Sequence, residues 1–218
     1  MNSIHTTLKK PVYLVPEYAV LPLLIALIYN CVGYWGTKLI SDRKEHFHLG
    51  FDFEKNIPFM PWMITIYLGC YAFWITNYAL SIRFSKKNAY HFLIAEIMAK
   101  TVCFIFYIFL PTEMERPVIN EKIPFDTIIA FVYNVDSADN LFPSIHCLIS
   151  WLCFIGVRQN PKIPVWYRVL SCIFAILICI STLTVKQHVF IDTVSGILLA
   201  EITYFISGKL VNLKCISK

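Results

Sequence analysis

The chain has 218 residues, 57% of them hydrophobic and 15% charged, with a mean hydropathy of +0.61 and a net charge of +5. So apolar a composition excludes an ordinary soluble domain and predicts an all-α integral membrane protein. The small positive charge is scattered, and nothing in it points to nucleic acid.

Crossing a bilayer core of about 30 Å takes roughly 20 mostly apolar residues in a helix. Six windows qualify, at 18–36, 59–82, 89–110, 143–157, 169–185 and 188–207. The fourth is short, and the third and sixth contain Glu96, Lys100 and Glu201, so six transmembrane helices are expected, with five or seven as alternatives. Lys9 and Lys10 precede the first window, which ends in "CVGYWGTK" without a small-residue cleavage site, so it reads as an anchor and not as a cleavable signal. Between the first two windows, "SDRKEHFHLGFDFEKNIPFMP" spaces Phe47, Leu49, Phe51 and Phe53 among charges, which suits a segment at the membrane interface or a solvated loop. The loop after the third window holds the apolar stretch "IPFDTIIAFVY", which predicts a short helix of its own, folded against the mouth of the bundle. Glu96 and Lys100, four apart, predict an internal ion pair. The chain reads as a single domain over 1–218, without repeats. Its eight cysteines form no C-x-x-C pair, and seven fall in or beside apolar windows, as small packing residues do.

Six crossings put both termini on one side, and the lysines and arginines choose which. The termini, second loop and fourth connection carry eleven: Lys9, Lys10, Arg83, Lys86, Lys87, Arg158, Lys162, Arg168, Lys209, Lys214 and Lys218. The opposite side carries seven: Lys38, Arg43, Lys44, Lys55, Arg116, Lys122 and Lys186. The bias predicts a multi-pass protein of the cell membrane with cytoplasmic termini.

The chemistry-bearing residues cluster on the other, extracytoplasmic side. The fourth window begins at Pro143, so Ser144 and His146 fall in a first helical turn, where free N–H groups and the helix dipole attract anions. Arg116 follows the third window and offers a planar fork suited to phosphate oxygens. In "STLTVKQHVFID", Ser181 and Lys186 precede His188, and Asp192 lies four residues beyond it, within reach on one helix face. A carboxylate beside an imidazole fixes its tautomer and raises its basicity. Each residue alone has a plain structural reading: a packed histidine, a snorkelling cation, a hydrogen-bonded His/Asp pair. Together on one membrane side they suit a phosphate group. His146, His188 and Asp192 also have the composition of a two-His-one-carboxylate metal site, which the neighbouring cations argue against.

Arg116-Pro117, "PSIH" at 143–146, and Ser181, His188 and Asp192 at their spacing resemble the three ordered motifs of the type 2 phosphatidic acid phosphatase superfamily of membrane lipid phosphatases. The resemblance covers about residues 100–197. Two family cations are missing: the first-motif lysine falls at Phe109, and the arginine after Ser181 is Thr182. Ile145 stands where glycine is common. The resemblance implies that His188 attacks phosphorus to give a phosphohistidine, that Asp192 orients it, and that His146 protonates the leaving alkoxide and then activates water. Arg116, Lys186, Ser144 and Ser181 would bind the non-bridging oxygens, with no metal or cofactor required. The implied substrate is a lipid phosphomonoester or diphosphate, isoprenyl phosphates included, with its chains in the bilayer. The pattern is similar to the branch that includes inositolphosphorylceramide-synthase-like proteins, so a lipid phosphotransferase is an alternative. A non-catalytic lipid-binding or transport protein on the same fold is another.

Overall fold

The computed structural model describes residues 14–119 and 123–216, without the side chains of 213–216. Lys9, Lys10, Lys122 and Lys218 lie outside these residues, as do the side chains of Lys214 and Cys215. The chain is helical throughout: α1 (Glu17–Ser41), α2 (Ile64–Ile82), α3 (Lys86–Phe109), α4 (Pro124–Val135), α5 (Ile145–Arg158), α6 (Val165–Thr184) and α7 (Phe190–Ile216). Among the described residues β-pairing is confined to two isolated bridges, Phe47 with Thr112 and Glu113 with Asp139.

Five helices are long and apolar enough to cross a bilayer, as in a multi-pass membrane protein: α1, α2 with the 3-10 turn Pro61–Met63 that leads into it, α3, α6 and α7. Window 143–157 becomes α5, which is apolar but has only 14 residues. At 1.5 Å per residue it extends about 21 Å, short of the ~30 Å hydrocarbon core. Its position explains how so short a helix is accommodated. α5 packs against α2, α3, α6 and α7, and nine of its 14 residues, all between Cys147 and Val157, are buried, so the body of the helix is enclosed by protein. Apolar side chains cover the outer faces instead, such as Leu21, Leu24, Ile28, Val32 and Trp35 on α1 and Val169, Ile173 and Ile176 on α6. Exposed apolar bands of this kind need lipid to be stable.

Two sets of charged groups inside the bundle are paired, as a low-dielectric interior favours. Lys100 Nζ lies 2.5 Å from Glu96 Oε1, with both side chains buried, which bears out the internal ion pair. Glu201 accepts two hydrogen bonds from Arg158, at 2.7 and 3.0 Å, and one from Trp151 at 2.9 Å.

The expected short helix is α4. Its Ile129 and Val132 are buried with Met63, Ile64, Tyr67 and Val185, and Tyr133 donates to the Val185 carbonyl at 2.7 Å. It therefore lies across the end of the bundle where α2 and α5 begin. The 42–63 segment crosses the same end. Phe47 exchanges backbone bonds with Pro111 and Glu113, and Phe53 packs between Phe51 and Phe190.

Candidate active site

Three helix ends meet beneath this cover. Ser144 caps α5, its hydroxyl accepting from the Cys147 amide at 3.3 Å, so His146 sits in the first turn. The Ser144 amide in turn donates to the Asp192 carbonyl at 3.1 Å, tying the start of α5 to the start of α7. Gly196 permits that approach, because a Cβ there would lie 2.6 Å from the Ser144 carbonyl oxygen.

α6 ends in a Schellman turn. The Lys186 amide donates to Leu183 and the Gln187 amide to Thr182, while Lys186 takes the left-handed conformation with φ of 53°. Glycine is the usual residue at that position. This turn throws Gln187 and His188 back toward α5. The last helix begins at Phe190 and not at His188, which corrects the expectation that His188 and Asp192 share a helix face. The two still meet, because Asp192 Oδ2 caps α7 by accepting from the Val189 amide at 3.0 Å and lies 3.4 Å from His188 Nδ1.

The rings of His146 and His188 are 5.9 Å apart, centroid to centroid. Both line a cavity of about 510 Å³ together with Tyr67, Asp136, Asn140 and Gln187. A second cavity, of about 600 Å³, also reaches His188 and is lined by His48, Glu54, Lys55, Glu113 and Lys186. Burial pulls the His188 pKa down, but the Asp192 carboxylate 3.4 Å away outweighs it, so the imidazole is held above its ordinary 6.5.

The expected phosphate ligands divide. Arg116 lies over the Tyr133 ring at 4.5 Å, donates to the Asp136 carbonyl at 2.6 Å and to the Gln187 side-chain oxygen, and so reaches the histidines through Gln187. Burial lowers its pKa, yet guanidinium stays charged at any physiological pH. Ser144 is committed to its capping role. The Ser181 hydroxyl is fully buried and donates to Ile178 at 2.7 Å. Lys186 spends its ammonium on the carbonyls of Ile57, at 2.7 Å, and Glu54, at 3.4 Å, on the side of the second cavity.

Three residues escaped the sequence reading. Tyr67 places its hydroxyl 3.0 Å from His146 Nε2 and its ring 4.8 Å from the imidazole. No sequence signal marks it, since a tyrosine in an apolar window reads as core. Gln187 is almost fully buried, and its amide nitrogen has no partner. A neutral amide directly before His188 was the available signal. Asp136 belongs to the polar run "NVDSADN", which read as loop.

No three histidine, cysteine, aspartate or glutamate side chains among the described residues are grouped to hold a metal ion. Compared with known proteins, the chain matches no family model, no curated protein and no solved structure.

Proposed function

We propose that the protein is a membrane lipid phosphate phosphatase of the phosphatidic acid phosphatase type, acting through a phosphohistidine. The observation that carries this reading is the meeting of His146, His188 and Asp192, with the rings 5.9 Å apart and the carboxylate 3.4 Å from the second imidazole. One phosphorus centre between two such rings can touch both. With Nδ1 of His188 turned to Asp192, its Nε2 lone pair attacks phosphorus. The P–O bond to the lipid breaks, and His146 gives its proton to the leaving alkoxide. Water then attacks the phosphohistidine and loses its proton to His146, and the P–N bond breaks to release inorganic phosphate. The unpartnered Gln187 amide, braced by Arg116, and the N-terminus of α5 would hold the non-bridging oxygens.

In this reading α5 is a sixth crossing that begins below the rim, so the site is recessed and faces away from the cytoplasmic termini. Acyl or isoprenyl chains stay in lipid while the head group enters. The test is purified protein with a labelled lipid phosphate, with an acid-labile phosphoprotein trapped by rapid quenching. His188→Ala should release no phosphate and trap no label while remaining folded. Turnover unchanged by this substitution would remove the nucleophile and the reading with it.

The second cavity favours one other reading. About 600 Å³ reaching His188 is far more room than a water needs, and it suits the head group of an acceptor lipid. Adding acceptor alcohols to the same assay separates the two: a labelled lipid product marks a phosphotransferase, and free phosphate alone a hydrolase.

A further inference from the structure

His146 has two ring nitrogens, and one of them is already engaged. The Tyr67 hydroxyl lies 3.0 Å from its Nε2, with the two rings 4.8 Å apart. Among the described residues that hydroxyl hydrogen-bonds to His146 alone. The imidazole has little freedom to turn this nitrogen elsewhere. Trp74, seven residues on from Tyr67 and so on the same face of α2, packs with its ring 5.6 Å from that of His146, and its indole N–H donates to the Ser150 hydroxyl at 2.9 Å. Ser150 is one turn beyond His146 on α5, so α2 holds the start of α5 at both points.

A phenolic hydroxyl both donates and accepts, and its part in this contact reverses with the charge of the ring. Against a neutral Nε2 the hydroxyl donates to the nitrogen. In the cationic ring both nitrogens are donors, so Nε2–H donates to the Tyr67 oxygen and the phenolic hydrogen is freed for a third group. Tyr67, His146 and His188 line the same cavity, so the group that meets this hydrogen is the one that occupies the cavity.

We propose that Tyr67 is a catalytic residue that relays the proton between His146 and the leaving oxygen. The relay rests on the phosphatase reading and adds a residue to it. As the P–O bond to the lipid breaks, its electron pair stays on the departing oxygen, which takes the phenolic hydrogen. The Nε2 hydrogen of His146 passes to the Tyr67 oxygen in the same motion. The phenol is restored, the imidazole becomes neutral, and the alcohol leaves uncharged. In the second step the order is reversed: water gives a proton to the Tyr67 oxygen as it attacks the phosphohistidine, and the phenolic hydrogen returns to Nε2. The worse the leaving group carries negative charge, the more this donation contributes.

The test compares two phosphate monoesters with protein in dodecyl maltoside micelles, one of a long-chain alkanol and one of a nitrophenol that carries the same chain on its ring. Nitrophenolate departs without a proton. Tyr67→Phe keeps the ring and removes the hydroxyl. It should lower kcat/KM about 10²-fold for the alkyl ester and less than about threefold for the aryl ester. Across esters of increasingly acidic alcohols, the variant should depend more steeply on alcohol acidity than the wild type does. Retained cleavage of the aryl ester shows the site intact, so the alkyl loss is then no packing defect. A loss shared equally by both esters, or no loss on the alkyl ester, overturns the relay and leaves Tyr67 as support for the ring. Wild-type protein that cleaves the aryl ester alone overturns it too. His188→Ala, read in parallel, should cleave neither ester. Wild-type rates in that variant would bring down the phosphatase reading, and the relay with it, whereas failure of the relay alone leaves His188→Ala inactive.

Discussion

Asp192 Oδ2 lies 3.0 Å from the Val189 amide and 3.4 Å from His188 Nδ1, so one carboxylate both caps α7 and supports the proposed nucleophile. The two roles separate by pH. A nucleophilic His188 must be neutral, and its pKa is held above 6.5 because Asp192 outweighs burial. Activity should therefore rise with pH through a value above 6.5. Asp192→Asn keeps a cap acceptor but removes the charge, leaving burial to pull the pKa down. The acid limb of kcat/KM should then move to lower pH while the plateau falls by on the order of 10²–10⁴. A limb that stays in place would leave Asp192 as a helix cap only. The proposed phosphate ligands offer a second contrast at this scale. Lys186→Met should cost less than about threefold, because that ammonium is tied to two backbone carbonyls and is partly exposed. Gln187→Met removes a buried donor and the brace for Arg116, and should lower kcat/KM about 10²-fold. The reverse order in steady-state assays would restore the lysine as the clamp.

At the scale of elements, the site depends on how closely α7 approaches the start of α5. Gly196→Ala would put a Cβ 2.6 Å from the Ser144 carbonyl, with backbone on the other side that cannot move alone. The expected cost is about 1–3 kcal/mol, seen as a lower melting temperature in detergent. Activity should fall further than stability explains, since the Ser144 amide and the Asp192 carbonyl part. Melting unchanged from wild type would mean that the two helices slide freely. This packing also marks where the sequence is readable. Apolar windows locate α1, α2, α3, α6 and α7 because lipid-facing surface leaves a long hydrophobic run. The apolar stretch at 123–133, set within a long loop, reveals α4. Helix ends are harder. The turn after Thr184 is a Schellman motif with lysine in the glycine position, so no glycine signals it, and the apolar window from His188 overshoots a helix that starts at Phe190. The His188/Asp192 pair is legible because spacing in sequence survives folding locally. Tyr67 and Asp136 are not, since only tertiary packing brings them to the histidines.

For the whole molecule, the distribution of charge between its two ends sets its sense in the membrane. His146, His188, α4 and the 42–63 segment lie at one end of the bundle, and the Arg158–Glu201 pair and the 159–164 connection lie toward the other. Positive residues favour the second end as cytoplasmic, by eleven to seven over the full sequence. Lys55 and Lys162 are exposed markers of the two ends. In a background with its native cysteines replaced, Lys55→Cys should react with a membrane-impermeant maleimide added to intact cells, and Lys162→Cys should react only after permeabilisation. The opposite pattern would turn the end that holds the candidate site to the cytoplasm, and the proposed substrate would then have to be made on that leaflet. Labelling of both before permeabilisation would show that the chain does not hold one orientation. The eleven-to-seven margin is modest, and single charges near helix ends can shift such a balance. The prediction is therefore sharpened by a charge variant: Lys162→Glu with Arg168→Glu weakens the inner bias and should raise the fraction of inverted molecules, measured as Lys55→Cys left unlabelled in intact cells.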